Sequence, residues 1–264
     1  MIEAYLASVG LRGPGLASWT SSRAVLGGRA PYRPGVLPRP AGTPLPAMER
    51  RRATTVTRLA VEVAAETLGP RDPSGIATVF ASSGGEVEVI QAIFEELARP
   101  QPVLSPIQFH NSVHNAAAGY WSIATGARSP SSSVGAYDDS FGSGLMEALT
   151  QCRTEGCPVL LVAYDCPPGF PLGEHRPLIA PFAVGLLLTP ECGADTLARL
   201  RAEFVAAAPG ASAMLDPDLE RLRRGNPAAR SLPLLAALAQ GEPAEVRLGC
   251  GMGGGLLLEV QPWR

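Results

Sequence analysis

Three predominantly apolar runs stand out along the chain: Gly75–Ala81 (GIATVFA), Val159–Tyr164 (VLLVAY) and Phe182–Leu188 (FAVGLLL). Runs of this length without polar alternation fit strands buried on both faces. Between them, apolar residues recur every three or four positions, the helical period. Met48–Leu68 sets Val56, Leu59 and Val63 on one face until Gly69–Pro73 stops it, and Ser140–Glu155 turns Phe141, Leu145 and Leu149 inward. A Ser83-x-x-Glu86 capping box opens a further helix with Val87, Ile90, Phe94 and Leu97 at helical spacing.

The rest of the pattern is coarser. Ile2–Val9 reads as a first strand, and Gly10–Pro46 as a long irregular loop dense in glycine and proline. Pro106–Thr125 reads as one long helix and Ser131–Gly135 as a strand. Leu197–Ala207 and Leu234–Ala239 read as helices, and Val246–Leu248 and Leu256–Val260 as strands around a glycine turn. Apolar strands alternating with helices specify an α/β fold, a mixed β-sheet of about five strands layered between α-helices. Residues 1–264 read as one domain, with 10–46 irregular and 193–245 a helical insertion before the last strands.

With 46% hydrophobic and 17% charged residues in 264, the chain can bury a sizeable core. Its net charge is −2, and three basic residues stand in a row only at Arg50, Arg51 and Arg52, so it lacks the basic face of a nucleic-acid reader. All 22 basic residues are arginine, which excludes Schiff-base chemistry, a Ser–Lys pair and the lysine of a phosphate-binding loop. Five cysteines, odd in number and never spaced C-x-x-C, fit free thiols in a reducing cytoplasm. No run reaches the roughly 18 apolar residues of a membrane span, and Met1–Gly10 carries Glu3 and no basic leader, so a cytoplasmic location is expected.

Several motifs fail on context. Gly249-x-Gly251-x-x-Gly254 matches a dinucleotide fingerprint by letter, but the residues after it read as a strand instead of a helix, so it is a strand–turn–strand. His110 and His114 have the spacing of zinc ligands on a helix, yet Asn111 stands where a metalloprotease carries its general base, and polar packing at a buried interface is the simpler reading. No metal and no cofactor is implied. Ser112, Ser140 and Ser143 lack a G-x-S-x-G elbow. Asp138 and Asp139 are adjacent, so on a helix they point about 100° apart, wrong for a shared-proton pair. Cys192 has no histidine or basic neighbour to activate it and reads as inert.

The segment from Ser105 to Gly126 (SPIQFHNSVHNAAAGYWSIATG) resembles the helix that precedes the nucleophile strand in β-ketoacyl synthases. Ser129–Gly135 is similar to that family's nucleophile strand, Ser140–Ala148 to the helix after it, and Val159–Asp165 to the next core strand. Met48–Leu68 resembles the first family helix, Gly75–Gly85 the second strand and glycine turn, and Gly251–Met252–Gly253–Gly254 the glycine turn near a synthase C-terminus. The resemblance implies a thiolase-like half-fold, a single β-ketoacyl-synthase N-terminal-like domain. Counted without gaps from Gly126, the position of the synthase cysteine falls on Asp138, a poor acyl-thioester nucleophile. The family's catalytic histidines come from its second half, for which this chain is too short, so no catalytic residue is expected.

The Phe109–Asn115 run (FHNSVHN) in a nucleophile-free relative resembles the chain-length-factor-like subunits of aryl polyene pigment clusters. That resemblance implies a non-catalytic partner of an active β-ketoacyl synthase, in a heterodimer or larger assembly, shaping the acyl tunnel as malonyl units extend a polyene on an acyl carrier protein. It places Gln108, Phe109, His110, Ser112, Val113 and His114 at the tunnel or interface, in a helix largely buried there. Two other readings stay open: a stand-alone serine hydrolase or acyltransferase using Ser112 or Ser140, and a scaffold that only binds carrier protein. Neither a nucleic-acid partner nor a membrane span is expected.

Overall fold

A computed structural model describes residues 1–206, 210–251 and 253–263. One sheet runs through it. From edge to edge its strands, numbered in chain order, are Ser131–Val134 (β3), Ala77–Ala81 (β2), Val159–Asp165 (β4), Phe182–Thr189 (β5), Ile2–Arg12 (β1), Ala198–Val205 (β6), Gly255–Pro262 (β8) and Ala244–Gly249 (β7). β3, β2 and β4 are parallel, and every other pairing is antiparallel. The sheet therefore holds eight strands, against the five expected.

Helices cover both faces: Trp19–Leu26 (α1), Ala47–Arg52 (α2), Thr55–Leu68 (α3), Val87–Leu97 (α4), Pro106–Asn111 (α5), Ala116–Thr125 (α6), Ser140–Glu155 (α7), Leu172–His175 (α8), Pro217–Gly225 (α9) and Leu232–Gln240 (α10). α3 and α6 pack on one face, and α7, α10 and α1 on the other. The apolar runs have the alternation that two covered faces require. Val159, Leu161 and Ala163 of β4 join the core beneath α7, while Leu160, Val162 and Tyr164 join the core beneath α3. Close approach of α3 depends on Gly10 and Gly185, where a Cβ would lie 2.3 and 1.9 Å from Thr67 Oγ1. This is a mixed α/β fold, one sheet layered between helices on both faces.

Several expected elements are corrected. The loop 10–46 contains α1, an eight-residue stretch free of glycine and proline whose cap, Ser18, accepts the Ser21 N–H. Met48–Leu68 is two helices, because Ala53 is extended and Thr54 caps α3 by accepting the Thr57 N–H. Leu197–Ala207 is strand β6 over its described part (Ala207 lies outside the described residues), so 193–245 is not a purely helical insertion. Its alternation of buried Ala198, Leu200 and Ala202 with Arg199, Arg201 and Glu203 has period two, which outweighs the helix propensity of alanine, leucine and arginine.

The capping box does not form. Ser83 bonds to Asp165, and the Glu86 carboxylate turns inward to the Thr57 hydroxyl. Pro106–Thr125 is two helices, α5 and α6, broken at 112–115. The polar side chains there bind away from the helix: Asn111 Nδ2 donates to Arg52 O at 3.0 Å, and Asn111 Oδ1 accepts the Tyr120 hydroxyl at 3.1 Å.

Candidate functional site

The strand β3 leads through Gly135 and Ala136 into a tight 3-10 turn, Tyr137–Asp139, and then into α7. Tyr137 has φ 52°, the one left-handed non-glycine among the described residues, so the turn is a strained elbow. Ser140 stitches it: its hydroxyl accepts the Ala136 N–H at 3.0 Å and donates to Tyr137 O at 2.7 Å. The Arg176 guanidinium, just after α8, lies 3.7 Å above the Tyr137 ring, a cation–π contact.

Both elbow carboxylates are held. Arg176 Nη1 donates to Asp138 Oδ1 at 2.6 Å and Arg230 Nη2 to Asp138 Oδ2 at 2.9 Å. Arg230 Nη1 reaches Asp139 Oδ1 at 3.3 Å, and the Gly251 N–H donates to Asp139 Oδ2 at 3.2 Å. The glycine turn between β7 and β8 thus presses on the elbow. A Cβ on Gly249 would sit 2.1 Å from Asp139 Oδ1, and one on Gly142 would sit 1.9 Å from Gly249 O. The G-x-G-x-x-G stretch is a strand–turn–strand with Gly251 and Gly253 at positive φ, although Met252 within it lies outside the described residues. Each Asp138 oxygen is engaged by a guanidinium, a pair of charge-assisted hydrogen bonds.

Sequence reasoning missed Arg176 and Arg230. The one signal was indirect: two adjacent acids at a turn need cations, but nothing in the sequence says which of 22 arginines supply them.

Beside the elbow lies a cavity of about 200 Å³ lined by Ser83, Tyr137, Asp165, Cys166, His175 and Arg176, among others. Asp165, at the end of β4, is buried. Its Oδ1 accepts from the Ser82 hydroxyl at 3.1 Å, the Ser83 N–H at 2.9 Å and the Ser83 hydroxyl at 2.8 Å. Burial pushes the Asp165 carboxyl up to about 6, against the opposing pull of these hydrogen bonds and of Arg176. Burial likewise raises the Cys166 thiol and the Tyr164 phenol.

The predicted tunnel residues lie on a different element. Phe109 on α5 is 67% exposed and Val113 just beyond it 49%, beside Ile107, while Gln108 and Ser112 are half-buried. On the neighbouring α4, Phe94 and Leu97 are exposed too, while Val87 and Ile90 are half-buried, so the C-terminal half of its apolar face is uncovered in the single chain. The expected long, largely buried helix is instead a buried α6 preceded by an exposed α5. His110 and His114 do not share a helix. His110 is exposed, whereas the His114 ring packs against Gly85 and Gly135 and its Nε2 lies 2.9 Å from Ser82 O. No group of three or more metal-ligating side chains occurs among the described residues. The Ser112 hydroxyl donates to Phe109 O at 2.8 Å, and the Ser140 hydroxyl is spent on the elbow.

Residues 28–224 match the family described as Beta-ketoacyl synthase, N-terminal domain. The chain belongs to that family. Among solved structures, this β-ketoacyl synthase relative is similar to the ketosynthase (ApeO) in complex with its chain length factor (ApeC) from Xenorhabdus doucetiae. The match covers 98% of this chain and 100% of that one, with 26% identity and a TM-score of 0.75. The ishigamide ketosynthase/chain length factor matches over 100% of each chain at 12% identity and TM-score 0.70. The AntDE:AntF assembly, an acyl-carrier protein in complex with its ketosynthase, matches over 99% of each chain at 12% identity and TM-score 0.73. The last two establish the fold alone. No curated protein sequence matches. No helix among the described residues is long and apolar enough to cross a membrane.

Proposed function

We propose that this chain is a non-catalytic, chain-length-factor-like partner of a β-ketoacyl synthase, acting on a polyene that the synthase extends with malonyl units on an acyl carrier protein. One observation carries the reading. Asp138, which a gapless count from Gly126 puts at the family's nucleophile position, stands on the elbow with both carboxylate oxygens engaged by Arg176 and Arg230. A carboxylate so paired is a weak nucleophile, and an anhydride formed on it would hydrolyse. The similarity to a ketosynthase–chain length factor complex supports the partner class. The uncovered apolar side chains of α4 and α5 supply a surface that a partner would bury, with Phe109, Ser112 and Val113 presented to the partner's acyl tunnel.

The test is co-expression with a β-ketoacyl synthase from the same source. A stable heterodimer should form, in which the Asp138→Ala chain still supports condensation and loss of the ketosynthase cysteine abolishes it. Complete loss of condensation in Asp138→Ala, with the complex intact, would give this carboxylate a chemical role and defeat the reading.

A further inference from the structure

The Asp165 cavity is not used by the partner role. Three hydrogen bonds converge on Asp165 Oδ1, yet Asp165 Oδ2 is buried with no hydrogen-bond partner. Arg176, in the lining of the same cavity, has its Nη2 buried and also without a partner, while its Nη1 is committed to Asp138. A buried acceptor and a buried donor, both unpaired, each cost free energy until something supplies the complementary group. The cavity has room, since about 200 Å³ is several times the roughly 30 Å³ share of one water. It is smaller than the pockets of about 300–1,000 Å³ that hold whole drug-sized ligands, so it accommodates one small group.

The charges select the group. An anion would join Asp138 and Asp165 around Arg176, the single guanidinium of the lining, and be repelled by both. A cation would face that guanidinium with Asp165 as the only carboxylate of the lining. A neutral group with its donor and acceptor on separate atoms meets both unpaired partners and adds no charge. Val87, Pro168 and Leu178 supply apolar walls for the carbon next to it. We infer that this cavity is a binding site for a small carboxamide group, whose N–H donates to Asp165 Oδ2 and whose carbonyl accepts from Arg176 Nη2. Tyr137 and His175, both exposed, also line the cavity, so the group can belong to a larger molecule that extends outside.

This inference stands apart from the partner reading and is tested on the full chain, alone or with its co-purified synthase. Saturation-transfer NMR with acetamide, acetate and methylammonium as separate probes decides it. Acetamide should bind and the two ions should not. Asp165→Asn replaces the free acceptor with an NH2 donor, and should weaken acetamide by about tenfold or more, the worth of a hydrogen bond to a charged group. Should that variant misfold, Val87→Phe fills the cavity from its apolar wall and should abolish binding with both polar partners in place. Preferred binding of acetate or methylammonium, acetamide binding unchanged in these variants, or no binding of any probe (a cavity that holds water only) would each overturn it.

Discussion

Helices α3 and α4 carry the same kind of apolar spacing and meet opposite fates. In α3, Val56, Leu59 and Val63 are buried against the sheet. In α4, Val89 is the one fully buried residue, while Phe94 and Leu97 stand 58% and 51% exposed. The two helices are even joined: Glu86, at the start of α4, holds the Thr57 hydroxyl of α3. Periodicity reports that a helix has an apolar face. It does not report what covers that face, and an uncovered one beside exposed Ile107, Phe109 and Val113 is the mark of a surface built for another molecule.

The sharpest way to break this contrast is truncation on each helix. Leu59→Ala should cost about 2–5 kcal/mol in chemical denaturation, through lost burial plus the cavity left behind. Phe94→Ala should change the stability of the chain by no more than about 0.5 kcal/mol. Equal losses at both positions would mean that α4 is covered within the chain itself.

A second effect separates the helices by pH. Burial pushes the carboxyl of Asp165, which grips the Ser82–Ser83 turn leading into α4, up to about 6 from its ordinary 3.8. Burial also raises Glu86, beyond the opposing effect of its hydrogen bonds to Thr54 and Thr57. Between pH 4 and 6 the folded state therefore binds more protons at Asp165 than the unfolded state does. Its contribution to stability is present at low pH and lost as pH rises through about 6, by up to about 3 kcal/mol. Denaturation curves across this window should show the fall, Asp165→Asn should flatten it, and hydrogen exchange should loosen at the start of α4 before α3. A flat difference between wild type and Asp165→Asn would remove the burial account.

Smaller effects concern the partner. Phe94→Asp should weaken association with the synthase at least tenfold, about 1.4 kcal/mol, by titration of the purified subunits. Phe109→Ala should lengthen or broaden the products, and Ser112→Phe or Val113→Phe should shorten them, because a rigid polyene stops where a ring overlaps it. Mass spectrometry of carrier-bound chains reads this. Unchanged lengths in all three variants, with the complex intact, would take α5 out of the tunnel.

Long-range order was most legible where one physical rule dominated. The strands β4 and β5 and the helix α7 are plain in the sequence because burial on both sides leaves no room for polar residues, and because Gly156 ends α7 in a left-handed turn. Strand β6 was misread because its residues are good helix formers held in a sheet by pairing with β1 and β8, two segments distant in sequence. The break after Asn111 was hidden for the same reason, since its cause is a bond to Arg52, 59 residues away. At the site, Asp138 was found by counting without gaps from Gly126. Its arginines, 38 and 92 residues downstream, were not, because ion pairing between distant loops leaves no local pattern.

The outer strand β3 gives the fold one more consequence. It presents a bare backbone edge at one end of the sheet, the kind of edge that templates unwanted strand addition. Only four residues long, with serine at three of them, it offers few rungs and little grease for aggregation. So short and polar an edge is a weak template, so the chain should stay in solution when produced alone, and strand addition there should be confined to whatever partner caps it.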